Sequence, residues 1–116
     1  MSFFSSFFTT SAQTSDTISV LNKTQFAEAI QGQNVVLIDV RTPEEFAQGA
    51  IKGAVNINYF DQKVFIKQIS TLDKNKPVYL YCRSGNRSMK AARQLESLGF
   101  DKVYDLAGGY MAWSSY

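Results

Sequence analysis

From Ile18 onward, short apolar runs alternate with stretches in which apolar residues recur at helical spacing. "ISVL", Ile18 to Leu21, predicts a short strand, and "KTQFAEAIQGQ" a helix with Phe26, Ala27 and Ile30 on one face and Gly32 at its end. "VVLID", Val35 to Asp39, is an uninterrupted apolar run of the kind buried on both faces of a parallel sheet. "TPEEFAQG" then carries the marks of a short helix: Thr42 as N-cap, Pro43 in the first position, Glu45 closing a capping box and Gly49 as terminator. "AVNI" predicts another strand, and "FDQKVFIKQISTL" a helix presenting Val64, Phe65, Ile69 and Leu72 together. Pro77 opens the strand "VYLY". The strongest helical pattern is "SMKAARQLESLGF", with Ala91, Ala92, Leu95 and Leu98 inward and Gly99 as its C-terminal left-handed residue. "KVYDL" is the last predicted strand, before "AGGYMAW".

This alternation predicts an α/β fold with a mainly parallel sheet, because parallel neighbours require a crossover connection. At 116 residues, 45% hydrophobic and 14% aromatic, the chain suits one domain, placed at residues 18–116. Residues 1–17, "MSFFSSFFTTSAQTSDT", are rich in Ser, Thr and Phe and lack Lys and Arg. They are expected to form a flexible N-terminal extension. An export-signal remnant is the alternative, so the expected location is cytoplasmic, or periplasmic in that second case. With 12 basic against 10 acidic residues the formal charge is +2, too weak a field to imply nucleic acid or an anionic membrane as partner. No apolar run approaches the roughly 20 residues needed to span a bilayer.

The chain has one Cys and no His. It forms no internal disulfide, any cysteine chemistry proceeds without an imidazole base, and neither a metal nor a cofactor is expected. Cys82 directly follows "VYLY", at the carboxyl end of a predicted parallel strand, where open α/β sheets bind ligands. The run "CRSGNRS" must turn into a helix within a few residues. Gly85 and Asn86 tolerate positive φ, so the loop can aim several amides inward at a helix N-terminus, an anion-binding nest. Arg83 and Arg87 add positive charge, and Ser84 and Ser88 add hydroxyl donors. Such surroundings favour the thiolate, the nucleophilic form of cysteine. Singly, each feature has an ordinary structural reading: a lone Cys is a small core residue, Gly-Asn a turn, and loop arginines are solvated. Their coincidence in one run marks Cys82 as the candidate catalytic residue, with Arg83, Ser84, Gly85, Asn86, Arg87 and Ser88 as the candidate substrate-binding loop.

"CRSGNRS" also resembles the active-site loop of rhodanese-like sulfurtransferases, and "VVLIDVRTPEEFAQGAIKGAVNI" and "LAGGYMAW" match that family in the same order, so that the likeness runs from Ile18 to Trp113. The resemblance implies a twisted, mainly parallel five-stranded sheet flanked by helices on both faces. It implies that Cys82 carries sulfane sulfur as a persulfide, taken from thiosulfate or a persulfide donor and passed to cyanide or a thiol, a protein thiol included. Ala50 stands where many relatives have His. Asp39 and Arg41 in "DVR" are expected to form a structural pair, Glu44 and Glu45 to cap their helix, and Met111 and Trp113 to lie in the core. The glycines of "AGGYMAW" allow close backbone approach near the site.

Spacing discriminates between enzyme classes on this scaffold. Cysteine phosphatases and arsenate reductases of similar fold hold their oxyanion in a C-x5-R loop. Here Arg87 stands five positions after Cys82, giving C-x4-R, a smaller ring of amides that suits one sulfur atom better than a tetrahedral oxyanion. Sulfurtransferase is therefore the leading expectation and phosphatase or arsenate reductase the alternative. A non-catalytic rhodanese-like module that only binds a partner protein is the third reading. Such modules commonly lose the cysteine or degrade the loop, and this chain retains both.

Overall fold

A computed structural model describes residues 12–13, 15–32 and 34–115. Five parallel strands form the sheet: β2 (Ile18–Leu21), β3 (Val36–Asp39), β4 (Val55–Asn56), β5 (Val78–Tyr81) and β6 (Val103–Leu106). A two-residue strand, β1 (Ala12–Gln13), pairs antiparallel with β2 and extends the order to β1-β2-β6-β5-β3-β4. It lies within the expected flexible extension, most of which, residues 1–11 and Thr14, falls outside the described residues.

Among the described residues there are five helices: α1 (Lys23–Ala29), α2 (Pro43–Ala47), α3 (Gln62–Ile69) and α4 (Asn86–Ser97) between strands, and α5 (Gly109–Ser114) after the last one. The alternation of β5 sorts the core into two layers. Val78, Leu80 and Cys82 face one way and pack with Phe65 and Ile69 of α3 and Ala91, Ala92 and Leu95 of α4. Tyr81 faces the other way and packs with Phe26 of α1 and Leu106, with Trp113 of α5 against them. Helices therefore cover both faces, and the central strands are mostly apolar, with Asp39 of β3 and Asp105 of β6 as buried exceptions. Among the described residues no helix is long and apolar enough to cross a membrane.

Local signals decide most boundaries. Asn22 and Gln25 form a capping box at α1, as do Thr42 and Glu45 at α2, where Pro43 follows the cap. Asp61 accepts from the Val64 amide at the start of α3. Two expectations need correction. Val64 is 43% exposed; it sits one residue, about 100° of helix rotation, off the Phe65–Ile69 row, and Ile66 packs on the core instead. The second glycine of "AGGYMAW" opens helix α5. That helix leaves Met111 51% exposed, outside the core, whereas Trp113 packs on it as expected.

Candidate active site

Strand β5 delivers Cys82 to the sheet's carboxyl end, and the chain turns immediately into α4. Gly85 makes the turn at φ +113°, a conformation costly for any residue with a Cβ, and occupies the cap position of α4. At three helices a side chain satisfies a first-turn amide: Asn22, Thr42 and Asp61 each accept one at the heads of α1, α2 and α3, whereas α5, which opens on glycines, has no side-chain cap. At α4 no side chain caps the helix. Its first-turn donors, the amides of Asn86, Arg87 and Ser88, have no intrahelical carbonyl to reach, so the positive end of this 12-residue helix is left for a ligand. The Gly85 N–H donates to Cys82 Sγ at 3.0 Å, which places the sulfur inside the turn. Cys82 itself is buried, 1% exposed.

The start of α5 clamps this loop from outside. Tyr110 N–H donates to the Cys82 carbonyl at 2.8 Å and Met111 N–H to the Arg83 carbonyl at 3.0 Å. These two bonds occupy the first two carbonyl groups of the loop. The approach is possible only because Gly109 has no side chain: a Cβ there would lie 2.6 Å from the Cys82 and Arg83 carbonyl oxygens.

The arginines divide into three roles. Arg41 is buried and paired with Asp39, Nη2 to Oδ2 at 2.6 Å, donates to the Gly49 carbonyl at 2.7 Å, and lies 4.5 Å over the Tyr110 ring. This is the expected structural pair, tying the end of β3 to the turn after α2 and to α5. Arg87 grips Glu45 with two bonds, 2.7 Å and 3.0 Å, across 42 positions of sequence. Glu45 Oε1 also accepts from the Thr42 amide, so the capping box of α2 doubles as the anchor of the loop. The Arg87 guanidinium, more than the Thr42 bonds, pulls the Glu45 carboxyl down to about 2 against the cost of burial. Arg83 is exposed and pairs with no acidic group among the described residues. Ser84 and Asn86 are exposed at the rim. Ser88 is fully buried, and its hydroxyl donates to the Gly85 carbonyl at 3.3 Å, inside the turn.

A strand-borne cysteine within an uncapped helix start, braced by a distant carboxylate and a glycine pair, is matched along the whole domain by a known pattern. The family model described as "Rhodanese-like domain" matches residues 22–116. The chain belongs to the rhodanese-like family. It is similar to "Thiosulfate sulfurtransferase 16, chloroplastic" of Arabidopsis thaliana, 40% identical over 66% of this chain and 72% of that protein. It is likewise similar to "Thiosulfate sulfurtransferase GlpE" of Shewanella oneidensis, 36% identical over 80% of this chain and 89% of the relative. Among solved structures, a rhodanese-like domain protein from Staphylococcus aureus superposes with a TM-score of 0.72 at 28% identity, over 83% of this chain and 91% of that one.

Two features of this rhodanese-like domain were not legible as site elements. A cavity of about 210 Å³ opens beside the loop, with Arg83, Gln48, Tyr110, Met111 and Ser114 on its wall. Its wall comes from three separate parts of the chain, which periodicity alone does not bring together. Asp105 of β6 pairs in register with Leu80 and so faces the same side of the sheet as Cys82. It is 3% exposed, and its Oδ1 has no hydrogen-bond partner. Burial pushes this carboxyl up to about 7, against the Ser88 hydroxyl and the Leu106 amide, which favour its charged form.

Proposed function

We propose that the protein is a thiosulfate sulfurtransferase working through a Cys82 persulfide. The observation that carries the reading is the position of Cys82 Sγ, 3.0 Å from the Gly85 amide at the head of a helix that no side chain caps. The thiolate attacks the outer sulfur of thiosulfate; the sulfur–sulfur bond of the donor breaks and sulfite leaves with the electron pair. The new persulfide keeps its terminal sulfur among the amides from Gly85 to Ser88, which stabilise negative charge by preorganised donation. Cyanide or a thiol then attacks that terminal sulfur and returns the Cys82 thiolate.

The residues have distinct parts in this scheme. Arg83, exposed at the rim, attracts the anionic donor, and Ser84 and Asn86 line the entrance. Gly85 permits the turn. Arg87 acts through Glu45 as a positioning residue that fixes loop shape, and Ser88 braces the turn from below. The names of the relatives support the same activity. The C-x4-R spacing favours one sulfur over a tetrahedral oxyanion as the loop's guest, which ranks phosphatase and arsenate reductase chemistry lower.

Steady-state kinetics with thiosulfate and cyanide test the proposal. Splitting the reaction at a covalent intermediate gives double-displacement behaviour, parallel lines in reciprocal plots, and no turnover in Cys82→Ser. Aryl phosphates should be turned over negligibly. Robust phosphatase activity lost in Cys82→Ser, with no sulfur transfer, would overturn the assignment.

A further inference from the structure

We propose that Asp105 is a positioning residue of the Cys82 loop and acts through Ser88: its neutral carboxyl completes a hydrogen-bond chain to the Gly85–Asn86 peptide, and its ionised form breaks that chain. The inference rests on the sulfurtransferase reading and adds to it a residue outside the loop. It starts from an orphaned atom. Asp105 is 3% exposed, and its Oδ1 has no hydrogen-bond partner. Buried polar atoms are nearly always paired, so one left over calls for an explanation.

The register of β6 fixes what surrounds this carboxyl. Asp105 pairs with Leu80 of β5 and Val20 of β2, which puts it on the face of the sheet that carries Cys82. Helix α4 packs on that face through Ala91, Ala92 and Leu95, and its buried Ser88 brings a hydroxyl within hydrogen-bonding reach of the carboxyl. From β5 the titratable group on this side is Cys82. The charges of α4 are engaged or turned away: Arg87 is held by Glu45, Lys90 and Arg93 are exposed, and Glu96 lies with Arg93 beside Ser15, about two turns beyond Ser88. Burial pushes the carboxyl up to about 7, so it changes charge near neutrality.

Ser88 has a single proton to give. It donates that proton to the Gly85 carbonyl at 3.3 Å, beside the Met89 amide, which donates to the same oxygen at 3.2 Å. Toward Asp105 the hydroxyl can then only accept, and only a neutral carboxyl has a proton to offer it. An ionised carboxylate is an acceptor alone and competes with the Gly85 carbonyl for the Ser88 proton. The Gly85 carbonyl belongs to the same peptide group as the Asn86 amide, one of the first-turn donors of α4. Donation to that carbonyl polarises the amide and strengthens what it gives to an anion. Ionisation of Asp105 thus slackens the head of α4 and sets a negative charge beneath it.

A dianion attacked by a thiolate gathers more negative charge at the loop than the free thiolate carries, so thiosulfate senses this loss and a neutral reagent does not. Loading by subsaturating thiosulfate, followed by intact mass, and alkylation by iodoacetamide are therefore measured from pH 5 to pH 9. In the wild-type protein the ratio of the first rate to the second should fall about fivefold as pH rises through about 7, the factor one neutral hydrogen bond supplies. Asp105→Asn cannot ionise, so it should match the wild-type ratio at pH 5 and hold it to pH 9. Ser88→Ala should show the low ratio throughout, and adding Asp105→Asn to it should change nothing. A wild-type ratio constant with pH would overturn the inference, as would a fall that survives in Asp105→Asn, while leaving the sulfurtransferase reading intact. A pH-dependent gap between Ser88→Ala and the double variant would show that the carboxylate acts directly on the site and would overturn the role of Ser88. Failure of thiosulfate and polysulfide alike to load the protein at any pH would remove both the reading and the inference.

Discussion

Replacing Asp105 by Asn should make the protein less sensitive to pH, with the difference appearing between about pH 4 and pH 7. The carboxyl lies under the head of α4, 3% exposed, with one oxygen unpartnered, and its burial raises it from 3.8 to about 7. In the unfolded chain the group loses its proton near pH 4; in the folded protein it keeps it to about pH 7. Between those values the folded state binds more protons, so stability falls as pH rises and levels off once the folded carboxyl has ionised. About three pH units at 1.36 kcal/mol each sets a ceiling of roughly 4 kcal/mol on the loss. Asn keeps the shape and cannot ionise. Urea unfolding of both proteins from pH 4 to pH 8 should give similar midpoints at the acid end and a gap that widens to pH 7, the Asn variant being the more stable. Parallel profiles would refute the reasoning, since they would mean that Asp105 ionises alike in both states.

Glu45→Gln should cost about 1–2 kcal/mol at pH 7, since it removes charged bonds from Arg87 while sparing the core. Because the folded carboxyl titrates at about 2 and not 4.5, that contribution is present above pH 4.5 and should be lost as pH falls toward 2, a window distinct from that of Asp105 and visible in a urea series extended from pH 5 down to pH 2. Sulfur transfer should slow as well, because the loop loses its anchor. Gly109→Ala forces a Cβ to within 2.6 Å of the Cys82 and Arg83 carbonyl oxygens, at a φ of +58°. It should cost at least ~1 kcal/mol and lower kcat for thiosulfate by displacing the loop, a loss that kinetics on the folded variant will measure.

Local signals made much of this legible in advance. The capping box at Thr42 and Glu45, the Asp39–Arg41 pair, the inward faces of Ala91, Ala92 and Leu95, and Cys82 at a strand end each depend on residues near one another in sequence. What stayed hidden depends on tertiary contact. Glu45 is a complete capping residue on its own, and nothing in its neighbourhood reveals that Arg87 will share it. Asp105 reads as one polar position in a short strand; only the register of β6 on β5 shows that it faces the core beside Cys82. Helix α5 has six residues and opens on glycine, which is weak helical material, so its clamp on the loop and its exposure of Met111 emerge from packing against Cys82 and Arg83.

Intact mass after thiosulfate tests the central claim most directly, since it detects the covalent intermediate without assuming an acceptor. The wild-type chain should gain the mass of one sulfur atom, lose it on addition of cyanide, and show neither change as Cys82→Ser. A wild-type mass unaltered by thiosulfate and by polysulfide would contradict the account and leave the protein as a rhodanese-like binding module.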